Sequence, residues 1–262
     1  MIYAISDIHA HKKQLEKWIE AIGVNELESG KHKLILLGDY IDRGPDSYGT
    51  LQMIYDYQKC FGENLIVLRG NHEEWFLDYL NGIGDEWLVE DYKLQTSRTF
   101  LMPDQLQTVH DMALNGSAQN IYEYIIDCIC KNHSDLIKWL KNLPYYYETE
   151  KQIFVHAGID EEAEGLWMHG TANYIFTGKY PPTRGKFLKD IIAGHVNARH
   201  VSQNPHHKGV FYDGFSHFYI DGSVPKSKKL LCLAYDEEKE AYYNVRPDAE
   251  GNITDESYMQ IK

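Results

Sequence analysis

Residues 34–45 read LILLGDYIDRGP. An apolar run ends in glycine, an aspartate follows at position 39, and a proline closes the segment. A short apolar run bounded by turn residues reads as a buried strand, so Asp39 opens the loop after it. The arrangement recurs along the chain. IYAIS precedes Asp7-Ile8-His9, LIVLRG precedes Asn71-His72, IFV precedes His156, and DIIAG precedes His195. In α/β proteins, sites assemble in loops at the carboxyl ends of strands. Strand ends that all carry oxygen or nitrogen donors therefore predict one shared site.

The segments between these runs set the fold class. LEKWIEAI (15–22) places Leu15, Trp18, Ile19 and Ile22 on one helical face, and SYGTLQMIYDYQK (47–59) does the same with Leu51, Ile54 and Tyr55. Pro45 suits the start of the second helix. Strand–helix alternation over 2–72 predicts parallel strands with right-handed crossovers. From 73 to about 143 the pattern is helical throughout: EEWFLDYL, DEWLVEDYKL, PDQLQTVHDMAL, AQNIYEYIIDCICK and SDLIKWLKNL, with Ser117 and Ser134 as candidate N-caps. Such an insertion can roof a site or simply pack. After 144 the chain is strand-rich. PYYYETE and KQIFVHAG form a hairpin delivering His156, and GVFYDG, SHFYIDGS, KKLLCLAYD and KEAYYNVRP read as short antiparallel strands. The expected architecture is α/β: a two-sheet mixed β-sandwich flanked by helices, one unit over 1–262 with an all-helical insertion at about 74–143.

The strand-end residues carry a consistent chemistry. Asp7 and His9, one residue apart in extended chain, would leave on the same side and hold one ion. A carboxylate has two oxygens, so Asp39 can bridge two ions. Asn71, His156 and His195 would complete the second. Two such ions can clamp a phosphate and generate a hydroxide at neutral pH. A donor set of oxygen and nitrogen without cysteine suits manganese first, and also iron or zinc. Arg43 and Arg69 flank the donors, and a guanidinium fork matches phosphate oxygens. His72 points away from Asn71 and is free to donate a proton, with Asp42 to orient it. Taken singly, each residue also reads as a turn, a cap, a loop histidine or a surface arginine. Their joint order, each after an apolar run, does not.

Composition limits the partners. A formal net charge of −13 argues against a general nucleic-acid or anionic-membrane binder. It leaves room for a phosphorylated substrate, because divalent cations dominate the field where they bind. Cys60, Cys128, Cys130 and Cys232 show no zinc-finger spacing, and Cys128 and Cys130 read as reduced thiols on a helix. No apolar run approaches the ~20 residues of a membrane span, and no signal-peptide pattern precedes MIYAIS, so a cytoplasmic protein is expected.

SDIHA, GDYIDRGP, LRGNHE, VHAGI and AGHV resemble the signature blocks of the calcineurin-like metallophosphoesterases. Within them the chain resembles the phosphoprotein phosphatase group, which includes bacterial Ser/Thr protein phosphatases and symmetrical diadenosine tetraphosphatases. The resemblance implies Asp7, His9 and Asp39 on one metal, and Asp39, Asn71, His156 and His195 on the other. It further implies His72 with Asp42 as proton donor, Arg43 and Arg69 as phosphate clamps, and metal-bound hydroxide attacking without a phosphoenzyme. Ser6 and Ala10 stand where the family usually has glycines, and GHV replaces GHT. Leu166-Trp167-Met168-His169 stands where bacterial members often carry a third arginine, which makes His169 a candidate substitute. Three functions follow: a phosphatase acting on phosphoserine or phosphothreonine in proteins, a nucleotide hydrolase acting on dinucleoside polyphosphates, or a non-catalytic metal-binding scaffold. RGNHE, where the dinucleotide enzymes typically read LGNHD, favours the first. The presence of the His72–Asp42 pair disfavours the scaffold.

Overall fold

The computed structural model describes residues 1–84, 86–115 and 118–262. Two mixed sheets face each other. The first has the order β11-β10-β9-β1-β2-β3 and the second β4-β5-β6-β8-β7. In chain order the strands are β1 (Ile2–Ile5), β2 (Lys33–Leu36), β3 (Leu65–Val67), β4 (Tyr146–Glu148), β5 (Gln152–Val155) and β6 (Asp190–Asn197). They continue with β7 (Phe211–Tyr212), β8 (His217–Asp221), β9 (Cys232–Asp236), β10 (Ala241–Val245) and β11 (Tyr258–Gln260). The expected parallel set is present: β1 pairs with β2 and β2 with β3, both parallel.

Strand alternation explains the layers. In β1, Ile2 and Ala4 enter the core between the sheets, with Ile35, Leu37, Phe154, Ile192 and Phe218. Tyr3 and Ile5 enter a second core on the helical side of the first sheet. In β6, Ile192 faces the sandwich, while Ile191 and Ala193 face a third core with Trp167 and Phe176. Strands buried on both faces must be apolar at every position, which is why these runs are unbroken.

Helices α1 (Lys12–Ile22), α2 (Val24–Glu28), α3 (Ser47–Phe61) and α4 (Asn71–Leu80) follow the first three strands. Leu15, Trp18, Ile19 and Ile22 of α1 are buried, as their spacing predicts. The side chain of Asp46, not Pro45, caps α3 by accepting from the Gly49 amide. Helices α5 (Pro103–Asn115), α6 (Ala118–Asn132) and α7 (Ser134–Lys141) fill the insertion, where no strand occurs among the described residues. Ile125, Ile129, Leu136 and Leu140 join the helical-side core, so much of this segment packs against α3 and α4.

Several expectations are corrected. The stretch DEWLVEDYKL is not one helix but short 3₁₀ turns at Glu86–Val89 and Tyr92–Leu94, kinked at Lys93; Asp85 lies outside the described residues. His133, not Ser134, is the cap residue of α7, and Ser117 lies outside the described residues. The last strands are not all antiparallel: β8 runs parallel to β6. β11 was not anticipated, because its three residues are half-exposed or exposed and carry no apolar run. All four cysteines are free, and Cys128 and Cys130 lie on α6. Among the described residues no helix is long and apolar enough to cross a membrane.

Candidate metal centre

The loops after β1, β2 and β3, the end of β5 and the middle of β6 converge on Asp39. One of its carboxylate oxygens lies 3.8 Å from His9 Nε2 and 3.7 Å from His72 Nε2. The other lies 3.4 Å from His156 Nε2. Two donor groups result, His9–Asp39–His72 and Asp39–His156–His195, with all donor atoms of each within 4.8 Å of one another. Asp39 belongs to both. Asn71 joins the second group, its Oδ1 lying 3.0 Å from both His156 Nε2 and His195 Nδ1.

Asp7 is in neither group. Its Oδ2 accepts from the His195 amide at 3.0 Å, tying the β1 loop to β6. The extended-chain argument for Asp7 and His9 also fails. Both have left-handed backbones, φ 54° and 43°. Ala10, Asp39, Asp42, Arg43 and His195 are left-handed too. A non-glycine residue held there is strained, and such residues gather at functional sites. His195 lies within β6, not after it, where the pairing with β8 shifts register. That bulge turns the histidine out of the alternation. Close approach of the loops requires glycine. A Cβ on Gly38 would meet the backbone of Gly70 at 2.5 Å, and one on Gly194 would meet Asp7 Oδ2 at 2.3 Å.

Hydrogen bonds fix which ring nitrogens face the cluster. His9 Nδ1 donates to the Ile41 carbonyl at 3.1 Å and His156 Nδ1 to the Leu37 carbonyl at 2.8 Å. With Nδ1 protonated, each neutral ring presents an Nε2 lone pair to the carboxylate of Asp39. Burial keeps these rings neutral, holding His9 and His156 well below the ordinary imidazole range and His195 at about 4. The carboxylates move the other way. Burial, then the Asp221 and Asp39 charges, push Asp7 well up, and burial lifts Asp39 to about 7. Buried lone pairs and penalised carboxylates therefore converge, an arrangement that a divalent cation relieves by supplying the absent positive charge. The donor set fits two such ions held by His9, Asp39, Asn71, His156 and His195, with Asp7 adjacent.

His72 is different. Burial pushes it down, but the Asp39 charge and the Asp42 hydrogen bond outweigh this and lift it to about 9. Its Nδ1 lies 2.6 Å from Asp42 Oδ2. Asp42 is itself fully buried and accepts from Trp87 Nε1 at 3.0 Å and Thr96 Oγ1 at 2.5 Å. Both donors come from the insertion, which thus reaches the site without forming a regular roof.

The two arginines have different partners. Arg43 Nη1 lies 3.4 Å from His9 Nε2, while its Nε and Nη2 hold Glu90 bidentately at 3.1 and 2.9 Å. Arg69 donates to Tyr145 Oη and to the Leu140 and Lys141 carbonyls at the end of α7, and stacks on Tyr145. It is engaged there and not with the donor groups. His169, in the short helix α8 (Trp167–Gly170), is exposed and makes no hydrogen bond or ion pair with the described site residues. Because Glu90 occupies the Arg43 fork, Glu90→Gln is expected to lower KM for a phosphate ester about two- to five-fold with kcat little changed, as for a partly exposed ion pair. A raised KM would show instead that Glu90 positions Arg43.

Two buried acids escaped the sequence reading. Glu73 accepts from the amides of Asp39 (2.8 Å), Tyr40 (2.7 Å), Ile41 (3.3 Å) and Gly70 (3.0 Å), and so shapes the Asp39 loop. Its signal was the acidic residue at the third position of α4, reaching back to the helix start. Glu73→Ala is expected to destabilise the fold by about 3–5 kcal/mol, since several buried donors lose their partner at once. On thermal unfolding this lowers Tm by roughly 10 °C; an unchanged Tm would contradict the role. Asp221, at the end of β8, is buried beside Asp7 and lifted by burial to about 6. Its signal was HFYID, an apolar run closing on an acid like the others.

Over 71 residues the chain is 39% identical to a symmetrical bis(5'-nucleosyl)-tetraphosphatase of Cellvibrio japonicus, covering 27% of this chain and 24% of that protein. Over 157 residues it is 26% identical to another of Dechloromonas aromatica, covering 60% and 43%. A Caenorhabditis elegans protein provisionally named a serine/threonine-protein phosphatase is 35% identical over 72 residues, covering 28% and 19%. The matched stretches thus span less than half the length of each of these relatives. Among solved structures, the cold-active protein-tyrosine phosphatase of a psychrophilic Shewanella covers 100% of this chain and 80% of its own, at 16% identity and a TM-score of 0.53, a likeness of fold. The profile of the calcineurin-like phosphoesterases matches residues 1–221, and the chain belongs to that family.

Proposed function

We propose that this chain is a two-metal phosphoester hydrolase acting on phosphoserine or phosphothreonine in proteins, built as one unit with residues 74–143 as its insertion. The observation that carries the hydrolase reading is Asp39, shared by both donor groups and faced by neutral imidazole lone pairs. Manganese is the first choice of ion, with iron or zinc also suited to the donors. Two ions held there would polarise the phosphoryl group and supply a nucleophilic water at neutral pH.

The residues of the chain do the rest. His9, His156 and His195 offer nitrogen donors, and Asp39 and Asn71 offer oxygens. His72, oriented by Asp42 and protonated at neutral pH, donates a proton to the leaving serine or threonine oxygen. Trp87 and Thr96 hold Asp42 in place. Arg43, once its fork exchanges Glu90 for substrate, binds phosphate oxygens. Arg69, held by Tyr145 and the carbonyls at the end of α7 but with its Nε unpartnered, is the second candidate for that role.

RGNHE supports the protein-phosphatase reading over the dinucleotide one. A symmetrical dinucleoside tetraphosphatase is the second reading, favoured by the names of two relatives. Mn²⁺-dependent phosphate release, measured side by side on a phosphothreonine peptide, p-nitrophenyl phosphate and diadenosine tetraphosphate with a chelator control, separates the two. Preference for the peptide is expected; preference for the dinucleotide would overturn it.

A further inference from the structure

A groove of about 700 Å³ runs along α1, the end of β6, the β8–β9 connection and the end of β10. A second cavity of about 690 Å³ continues it, sharing Asn197, Arg199, Gly222 and Ser227. The groove is next to the site along β6, although no donor residue lines it. Asn197 lies two residues beyond His195 on the same strand and registers with Asp221, and both line the groove.

Its charge is opposite to that of the protein. The formal net charge is −13, yet Lys17, Arg199, Lys208, Lys228, Lys229 and Arg246 line the groove against Asp221 and Asp248. The charged ends of Lys17, Arg199, Lys208 and Lys229 make no hydrogen bond, ion pair or ring contact among the described residues. Lys228 and Arg246 contact only backbone carbonyls, of Pro225 and Lys208. Like charges held together without partners repel, so an anion in the groove gains from all of them. Asn244 adds a second, independent sign of a ligand. It is 4% exposed and lines the groove, its Oδ1 accepts from the Val210 amide, and its Nδ2 has no partner. A buried donor left unpaired is costly.

We propose that this groove binds the acidic residues flanking the phosphorylated serine or threonine of a protein substrate, so that the enzyme prefers acidic phosphopeptides. The inference rests on the protein-phosphatase reading. Cations strung along two joined, open cavities match carboxylates spaced along an extended chain. A nucleotide would need a ring face to stack on; among the described residues the rings lining the groove are Trp18, which is 8% exposed, and His207, which is held T-shaped against Phe211 with its Nε2 on the Gly209 carbonyl. The preference comes from rim charges, each of modest effect, acting together.

The test uses the Mn²⁺-loaded full chain and phosphothreonine peptides flanked by glutamates or by glutamines. The glutamate peptides, on at least one side of the phosphothreonine, are expected to show about ten-fold higher kcat/KM, as for three rim pairs together. The preference should shrink as salt rises. The triple variant K17E/K208E/K229E is expected to lose it while turning over p-nitrophenyl phosphate at the wild-type rate. Equal kcat/KM for both peptides, or a preference that survives in the variant, would overturn the proposal. If p-nitrophenyl phosphate is hydrolysed but no peptide is, the protein-phosphatase reading fails separately. Anisotropy of a fluorescein-labelled glutamate-rich peptide then still decides the groove: binding lost in the variant supports it, and no binding to wild type overturns it. Displacement by tripolyphosphate with no peptide binding would assign the groove to a phosphate chain and overturn it equally.

Discussion

Replacing His72 by Asn is expected to lower turnover of a phosphate ester by about two to four orders of magnitude with both metal ions still bound. The variant keeps a side chain of similar length but no titratable proton. Asp42, 2.6 Å from His72 Nδ1 and fully buried, keeps its bonds from Trp87 and Thr96, so the pocket should hold its shape. The expected loss is therefore in kcat. The pH profile gives a second readout. The Asp39 and Asp42 carboxylates lift His72 above the ordinary imidazole value, to about 9. A raised folded value means the charged form and its stabilising contribution are fully present below the unfolded value of about 6.5 and are lost as pH rises through about 9. Turnover should fall on that same alkaline limb, at or below about 9 because bound cations repel the imidazolium. The limb should vanish in the variant. Unchanged turnover, or an alkaline limb that persists, would remove His72 from proton donation.

Asp39→Asn is expected to weaken binding of both ions, not one. The side chain keeps one oxygen but loses its charge and its second lone-pair face, so it cannot serve both donor groups. Loss of outer-shell partners alone weakens metal binding about 10–100-fold, and a bridging ligand should cost at least that. Equilibrium dialysis against Mn²⁺ reads the result, with circular dichroism to confirm the fold. Full occupancy of both ions in this variant would show that Asp39 is not the bridge. Loss of only one ion would assign it to a single group.

The strands that carry the site were legible because they are buried on both faces and must be apolar throughout. Asp39, Asn71 and His156 stand just beyond such runs, so the run and the donor could be read together. His195 was legible as a residue but not as a position, since a bulge inside β6 leaves no mark in an apolar pattern. The backbone at Asp7 and His9 was hidden for a related reason. Left-handed conformations at non-glycine residues are imposed by tertiary contacts, not by local preference. The supports of Asp42 were invisible because Trp87 lies in a short 3₁₀ turn and Thr96 in the turn between two others, which have no periodicity to read. Arg69 shows the limit from the other side. Its place next to Asn71 predicted a phosphate contact, yet the guanidinium reaches the end of α7, some seventy residues later in the chain. The basic groove was also beyond reach, because its cations come from four separated segments of an acidic chain.

The most direct test is to strip the wild-type protein with a chelator, return Mn²⁺ in steps, and follow bound metal and phosphate release from p-nitrophenyl phosphate on the same samples. Two ions per chain, with release absent in the stripped protein and complete only as the second ion fills, are expected. Full release with one ion or none bound would contradict a two-metal centre on Asp39.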